Sequence, residues 1–238
     1  MSFLYFIRHG QAGSRDNYDV LSEVGQSQAR TLGEHLASQG IELEAVYSGN
    51  LRRQRQTAEI ACEAFARAGH TAPDIVGDDR WNEFSLLSVY RAIARRLMEE
   101  DAEFARDVEE MQEAIRKDPH TTSGATGRCD AAVIRAWMEN RYTDYEGETW
   151  ATFRQRIRGC ATEFNARKNE NAIAIFTSAT PIAILAGASL GLTDEKLLDI
   201  LGVIYNTSVT VMRARGDELR LFTFNSISHL HPSMRTFR

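Results

Sequence analysis

Near the start of the chain, Phe3-Leu4-Tyr5-Phe6-Ile7 runs directly into Arg8-His9-Gly10. The five apolar residues are consecutive and do not alternate with polar ones, which is typical of a strand covered on both faces of an α/β sheet. Ligands of parallel α/β sheets bind at the carboxyl ends of the strands. The residues that follow this strand are therefore the first candidates for a binding site.

Helical and strand-like segments alternate along the rest of the chain. Ser22 to Gln39 has apolar residues at helical spacing, Ala45-Val46-Tyr47-Ser48 is typical of a second strand, and a second helix is predicted from Leu51 to Ala68. A further buried strand is predicted from Ala172 to Phe176. This alternation predicts a three-layer α/β/α sandwich around a mostly parallel central sheet.

The alternation breaks in the middle of the chain. Leu86 to Lys117 is a long, charge-rich helical segment, and a second helical run covers Asp130 to Asn140. Because strands typical of a sheet core resume after this region, we interpret it as an insertion. The expected organisation is a single domain over residues 1–238 that carries a helical cap at about residues 85–145.

The composition excludes several classes of protein. Hydrophobic residues make up 43% and charged residues 26% of the chain, which are values of ordinary globular proteins and not of disordered or fibrous ones. The formal net charge is −5, so no basic field extends over the whole molecule and we expect no nucleic-acid partner.

Cysteines and apolar segments indicate the compartment. Cys62, Cys129 and Cys160 are widely spaced, which argues against a disulfide framework and against a cysteine zinc site. The first residues lack a basic leader before a long apolar region, and the uncharged stretch from Ala172 to Leu192 has polar residues and a proline in its middle. We therefore expect a cytoplasmic protein that does not enter a membrane.

Arg8-His9-Gly10-Gln11 places a cation and an imidazole at the end of the first strand. Gly10 allows a sharp turn and a close approach of the backbone to a ligand. A guanidinium can hold a phosphate through two parallel hydrogen bonds, and a histidine can act as base or nucleophile near neutral pH. The alternative interpretation is a turn with an incidental histidine.

A second basic cluster opens the helix after the second strand. Arg52, Arg53 and Arg55 lie within four positions, although a helix N-terminus disfavours positive charge. An anion bound at that end of the helix would remove this conflict. The alternative is an exposed basic face, but together with Arg8 and His9 the cluster favours a phosphate site.

These motifs together resemble those of the histidine phosphatase superfamily, the phosphoglycerate mutase-like group. The resemblance spans nearly the whole chain, and Arg8-His9-Gly10 is its hallmark. It continues in four further segments: Tyr18 to Gly25, Leu51 to Ala58, Trp81-Asn82-Glu83, and Gly147-Glu148-Thr149 with the following Phe153 and Arg156. The resemblance implies a phosphoglycerate mutase-like fold.

The resemblance also implies a phosphatase that works through a phosphohistidine. His9 would be the nucleophile, Arg8 and Arg53 would bind phosphate, and Glu83 would protonate the leaving oxygen. Gln11 is expected as a further phosphate ligand. No metal and no other cofactor is expected, because phosphoryl transfer depends mainly on positioning and on cationic groups. The expected ligands are inorganic phosphate and a phosphomonoester, either a small molecule or a phosphorylated side chain.

One position departs from the family pattern. The family carries a second histidine after the late strand, where this chain has Ser178. A serine hydroxyl can donate one hydrogen bond to phosphate but supplies no positive charge, so the chemical step would slow by roughly 10²–10³-fold. Ser178 is still expected to bind phosphate. His229, which follows the last strand, either reaches the pocket as a partial replacement or is an ordinary packing residue.

Three functions are open on this basis. The first is hydrolysis of a phosphomonoester, and the second is a mutase, against which the missing histidine argues. The third is a catalytically weak phosphate- or phosphoprotein-binding module. Retention of the nucleophile, both arginines and the acid favours the phosphatase, whereas Ser178 favours the binding module.

Overall fold

The computed structural model describes residues 3–14, 17–118, 121, 124–164, 172–215 and 218–237. The chain divides into two compact units. The first unit combines Met1–Glu83 with Arg156–Arg238, and the second is Phe84–Gln155. The expected single domain with a cap at about residues 85–145 stays a prediction.

The strands and helices follow one another in the alternating order that the sequence predicts. The strands are β1 (Phe3–Arg8), β2 (Leu43–Ser48), β3 (Ile75–Gly77), β4 (Ala172–Thr177), β5 (Val209–Arg215) and β6 (Glu218–Ser226). The helices are α1 (Glu23–Ser38), α2 (Arg52–Arg67), α3 (Leu86–Glu100), α4 (Ala102–Lys117), α5 (Ala125–Met138), α6 (Trp150–Thr162), α7 (Ala179–Leu190) and α8 (Asp194–Leu201). A short 3₁₀ turn, Asp79–Trp81, follows β3.

Within the described residues, six strands form one sheet in the order β3-β2-β4-β1-β5-β6. The four strands from β3 to β1 are parallel, and β5 and β6 are added antiparallel. The predicted mixed α/β fold with a mostly parallel sheet is confirmed. In the register of the sheet, Arg8 pairs with Thr177 and Ser48 with Phe176, so β1, β2 and β4 end at the same edge.

The apolar core lies on both faces of this sheet. On one face, Ile7 and Phe176 pack with Leu32 of α1 and Phe65 of α2 in a single buried cluster. On the other face, the ring of Phe6 lies 5.7 Å from that of Trp81. Every residue of β4 is buried, as its lack of alternation predicts. Burial on both faces holds the ends of the strands in fixed positions.

The second unit corrects one expectation about the helices. The segment from Leu86 to Lys117 is predicted as one helical stretch, but it forms two helices that meet at Asp101. The Asp101 carboxylate accepts hydrogen bonds from the backbone N–H groups of Glu103 and Phe104, which makes it the N-cap of α4. The capping preference of aspartate therefore outweighs the continuous helical pattern.

Two further expectations concern cysteines and membranes. Cys62, Cys129 and Cys160 are buried and free. Burial raises the pKa of the Cys62 thiol to about 11 and that of Cys160 to about 12, so these thiols stay protonated and unreactive at neutral pH. Within the described part of the chain, we find no helix with the length and apolar character needed to cross a membrane.

Candidate active site

His9 follows β1 directly, and its backbone is held on two sides. Its N–H donates to the Thr177 carbonyl at 2.9 Å, and its carbonyl accepts from the Asn206 side chain at 3.0 Å. The ring nitrogen Nδ1 lies 2.8 Å from the Gly10 carbonyl oxygen, which can only accept, so Nδ1 carries the proton. The other ring nitrogen, Nε2, is then unprotonated, and its lone pair can accept a hydrogen bond.

Gly10 lets His9 come close to helices α1 and α2. A Cβ atom at Gly10 would lie 2.5 Å from the Gly25 carbonyl oxygen, so no larger residue fits. The Gly10 N–H donates to the Thr57 hydroxyl at 3.0 Å, and that hydroxyl donates to the Arg53 carbonyl at 2.7 Å. Thr57 thus ties the turn after β1 to the helix that carries Arg53.

Arg53 contacts the nucleophile candidate directly. Its Nε donates to His9 Nε2 at 3.2 Å, and its Nη1 pairs with the Asp19 carboxylate at 2.8 Å. The guanidinium also lies 4.9 Å above the centre of the Tyr18 ring. These contacts fix the guanidinium beside the lone pair of the imidazole.

Asp19 is a residue that the sequence interpretation missed. Its second carboxylate oxygen accepts from the backbone N–H of Arg52, the first residue of α2, at 3.1 Å. One half-exposed carboxylate thus serves both the helix N-terminus and Arg53. The sequence predicts a bound anion at the basic start of α2, and this stays a prediction; the structure places the Asp19 carboxylate there.

Arg8 lies at the base of the site and is buried. Its Nη1 donates to the Ile204 carbonyl, and it is hydrogen-bonded to Tyr18. Its Nε has no hydrogen-bond partner among the described residues. Burial lowers the pKa of Arg8, and the nearby Tyr18 and Glu83 partly oppose this effect.

The same surroundings keep His9 neutral. Burial is the largest cause that lowers the pKa of His9 well below its usual value, and the positive charges of Arg53 and Arg8 lower it further. At neutral pH the ring is therefore an uncharged imidazole between two guanidinium groups. That is the protonation state that a histidine nucleophile requires.

Glu83 is brought to the same edge of the sheet by a firmly anchored turn. Its Oε2 accepts from the backbone N–H of Thr180, in the first turn of α7, at 3.1 Å, and its charge acts on Arg8. Arg156 Nη1 donates to the Arg80 carbonyl at 2.6 Å and to the Asn82 carbonyl at 3.1 Å. These bonds hold the residues just before Glu83 in place.

Ser178 lies between β4 and α7 and is buried. Its hydroxyl oxygen accepts a hydrogen bond from Gln54 Nε2 at 2.8 Å. Gln54 is the second residue that the sequence interpretation missed, because it stands among three arginines and looks like part of a basic surface. The structure thus brings five predicted residues to one edge of the sheet: Arg8, His9, Arg53, Glu83 and Ser178.

Gln11 has a partner other than these five residues. Its side-chain oxygen accepts from the Ser22 hydroxyl at 2.8 Å, at the start of α1. Its assignment as a phosphate ligand stays a prediction.

His229 lies behind the site, on the far side of a loop. Its Nε2 is 3.1 Å from the Thr207 hydroxyl, and its ring stacks on that of His35 at 5.6 Å. The Thr207 N–H donates in turn to the Arg8 and His9 carbonyls at 3.0 and 3.3 Å. Burial lowers the pKa of His229 to about 4, so at pH 7 it is neutral and supplies no positive charge. Its role as a phosphate ligand stays a prediction.

The partly buried His229 predicts a pH dependence of stability. Its pKa is about 4 in the folded state and about 6.5 in the unfolded chain, so the unfolded chain takes up the proton first as the pH falls. Folding stability is therefore lost below pH 6.5, by up to about 3 kcal/mol near pH 4 from this group. We expect His229→Asn to flatten the curve of unfolding free energy against pH, measured by urea denaturation from pH 8 to pH 4.5.

The control for this experiment is His231→Asn, because His231 is exposed and close in sequence. It should leave the slope of the curve unchanged. His9 contributes to the slope in wild type and in both variants, so it does not affect the comparison. Equal slopes for wild type and His229→Asn would contradict the prediction.

Metal ligands are not grouped at this edge of the sheet. Across the residues that the structure describes, there is no group of three or more His, Cys, Asp or Glu side chains that could hold a metal ion.

The sequence matches the family model of the histidine phosphatase superfamily (branch 1) over residues 4–133 and 121–227. The chain belongs to the histidine phosphatase superfamily. No curated protein matches it significantly. As a member of this superfamily, the protein places its Arg-His-Gly segment at the carboxyl end of a central strand, next to the strand that bears Ser178.

Several solved structures share this fold. YhfR from Bacillus stearothermophilus is 22% identical, covers 96% of this chain and 99% of its own, and superposes with a TM-score of 0.62. A mycobacterial glucosyl-3-phosphoglycerate phosphatase in complex with VO3 is 22% identical and superposes with a TM-score of 0.61. The match covers 95% of this chain and 100% of that one. A phosphoserine phosphatase mutant from Entamoeba histolytica, in complex with phosphoserine, is 16% identical and superposes with a TM-score of 0.62. The match covers 97% of this chain and 100% of that one. At these identities the likeness shows a shared fold and nothing more.

Proposed function

We propose that the protein hydrolyses phosphomonoesters through a phosphohistidine on His9. One observation carries this proposal: an unprotonated Nε2 lies 3.2 Å from the Nε of a buried guanidinium that belongs to Arg53, and a second buried guanidinium lies nearby. The substrate class is a phosphomonoester, either a small molecule or a phosphorylated side chain. Family membership and the activities named for the structural neighbours support it.

In the first step, His9 Nε2 attacks phosphorus while the bond from phosphorus to the ester oxygen breaks. Arg8 and Arg53 hold the equatorial oxygens, and Arg53 Nε leaves the imidazole lone pair in order to do so. In the complex with substrate, Glu83 takes up a proton beside the phosphate dianion, and it gives this proton to the leaving oxygen. The phosphorylated ring becomes an imidazolium, and the Gly10 carbonyl stabilises its charge because it accepts from Nδ1–H.

In the second step, a water molecule attacks phosphorus from the side that the alcohol has left. The Glu83 carboxylate takes a proton from that water, the bond between phosphorus and nitrogen breaks, and inorganic phosphate is released. His9 returns to its neutral form and Glu83 to its protonated form. The two residues are thus ready for another cycle without a further reactant.

Detection of the covalent intermediate tests this proposal. The protein is mixed with an aryl phosphate labelled in the phosphoryl group and quenched in base, in which phosphohistidine survives and phosphoserine does not. We expect one labelled histidine, located by mass spectrometry of the peptide that contains His9. The control variant is His231→Asn, because His231 is exposed; this variant should keep full labelling. Turnover without any labelled histidine would contradict the mechanism.

Burial of Ser178 where the family has an imidazole favours a second candidate function. A catalytically weak phosphate-binding module would keep the arginines and lose turnover. Isothermal titration with inorganic phosphate, combined with the aryl phosphate assay, separates the two functions. Binding without turnover supports the module, whereas turnover with a labelled His9 supports the phosphatase.

Glu83→Gln is expected to impair poor leaving groups far more than good ones. An alkyl alkoxide needs a proton in order to leave, so we expect a loss of about 10²-fold in kcat/KM with an alkyl phosphate. A nitrophenolate leaves without that proton, so with nitrophenyl phosphate the loss should be below about 10-fold. The exposed Glu63→Gln on α2 is the control. Equal losses with both substrates would remove Glu83 from the role of acid.

We further propose a cytoplasmic location and a single domain with a helical insertion at about residues 85–145. Three buried, free thiols support a reducing compartment, because oxidising compartments favour disulfides. Limited proteolysis tests the domain proposal. The first cuts should fall within the insertion and leave the sheet-bearing part folded.

A further inference from the structure

Gln54 is a fully buried amide that bridges three segments of the first unit. It belongs to the first turn of α2, and its Nε2 donates to the Ser178 hydroxyl at 2.8 Å and to the Trp81 carbonyl at 3.3 Å. The Trp81 carbonyl can only accept, so the amide nitrogen must face it. This fixes which end of the amide faces Ser178.

The amide in turn fixes the direction of the Ser178 hydroxyl. Because the oxygen accepts from Gln54, the hydroxyl proton must point away from Gln54. Ser178 precedes α7, but its side chain makes no capping bond to that helix. Among the described residues no acceptor takes this proton. The hydroxyl is therefore a buried donor whose proton has no acceptor among the described residues, so it is available to a ligand.

Ser178 follows β4 directly, as His9 follows the neighbouring strand β1. The carbonyl of its neighbour Thr177 accepts a hydrogen bond from the His9 N–H at 2.9 Å. The N–H of Thr180, two residues after Ser178, donates to the Glu83 carboxylate. A donor at this position is therefore at the same strand ends as the two guanidinium groups. A tetrahedral oxyanion needs donors from several directions, and the neutral hydroxyl adds one.

The arrangement is unfavourable for stability alone. The side-chain oxygen of Gln54 is buried without a hydrogen-bond partner among the described residues, next to Gly49. An unpaired buried polar atom destabilises the folded state, and an apolar side chain of similar size would avoid this cost. The Trp81 carbonyl does not depend on Gln54, since the Thr177 hydroxyl also donates to it, at 2.6 Å.

We propose that Gln54 is a positioning residue that aims the Ser178 hydroxyl at a phosphate oxygen of the substrate. The inference rests on the proposed function, because it assigns a task within the same phosphate site. The Gln54–Ser178 pair supplies a neutral donor where the family has an imidazole. Gln54 acts through Ser178 and touches no substrate atom.

A double-mutant cycle tests this inference. Gln54→Leu is expected to lower kcat/KM for aryl phosphate by about 10-fold, because the hydroxyl is no longer aimed. Ser178→Ala removes the donor and is expected to cost on the order of 10²-fold. In the Ser178→Ala background, Gln54→Leu should have no further effect, since nothing is left to aim. An undiminished effect of Gln54→Leu in that background would overturn the inference.

Thr177→Val is the matched control, because Thr177 shares the Trp81 carbonyl with Gln54 but does not bond to Ser178. Its effect on kcat/KM should be the same with and without Ser178. Behaviour identical to that of Gln54→Leu would show that Gln54 acts through the turn at Trp81 instead. Ser178→Thr, which keeps a hydroxyl, should retain sensitivity to Gln54→Leu.

Two further measurements separate positioning from folding and from the proposed function. The melting temperature of Gln54→Leu should equal or exceed that of wild type, and a large decrease matched by the activity loss would indicate a structural role. If leucine prevents folding, Gln54→Met replaces it in the cycle. Isothermal titration with inorganic phosphate tests the pair even without turnover: Gln54→Leu and Ser178→Ala should both weaken binding, with no additive loss in the double variant.

Discussion

His9→Ala is expected to reduce turnover by on the order of 10⁴-fold or more, because it removes the group that forms the covalent bond to phosphorus. His9 is buried and neutral, and its Nε2 is the nucleophile of the first step of the proposed cycle. Water would have to attack the ester directly in the variant. The aryl phosphate assay measures this loss, and the base-stable phosphoenzyme should disappear with it.

Phosphate binding should survive this substitution. The two guanidinium groups remain, and loss of the imidazole leaves room beside them. Isothermal titration with inorganic phosphate should therefore give a dissociation constant similar to that of wild type. A variant that keeps full turnover would refute the role of His9, and a variant that neither binds nor unfolds normally would indicate a structural role.

Arg8→Met is expected to lower kcat/KM by about 10³-fold, since it removes a fixed positive charge from the transferring phosphoryl group. Methionine fills a similar space without charge. The exposed Arg52→Met is the matched control and should have little effect. The assay with aryl phosphate measures both variants in parallel.

The same substitution should not destabilise the folded protein. Arg8 is buried, its Nε has no hydrogen-bond partner among the described residues, and burial lowers its pKa. A buried charge in this situation is unfavourable, so a neutral side chain should leave the melting temperature unchanged or raise it. A large fall in melting temperature would mean that Arg8 mainly serves the fold.

The sequence predicts the fold and the meeting of the main site residues for one physical reason. Strands of a parallel sheet end at the same edge, so residues that follow β1, β2 and β4 must come together. Arg8, His9 and Ser178 are placed by this rule alone. Arg53 follows because the helix after β2 starts at that edge.

The sequence interpretation missed residues whose role depends on contacts between distant parts of the chain. Gln54 looks like part of a basic helix face, and only the approach of β4 to α2 shows its bond to Ser178. Asp19 lies far from Arg53 in sequence, and no local pattern predicts their ion pair. Asp101 shows the opposite case, since its capping bond is local, yet the continuous helical pattern around it led to the prediction of one helix where the structure has two.

The contact from Arg53 Nε to His9 Nε2 has a consequence for the resting protein. While Arg53 Nε–H donates to this lone pair, the lone pair is less available to electrophiles and protons. In the proposed cycle, the incoming phosphoryl group draws the guanidinium to its own oxygens and so releases the lone pair of the ring. The substrate itself would then make the imidazole reactive.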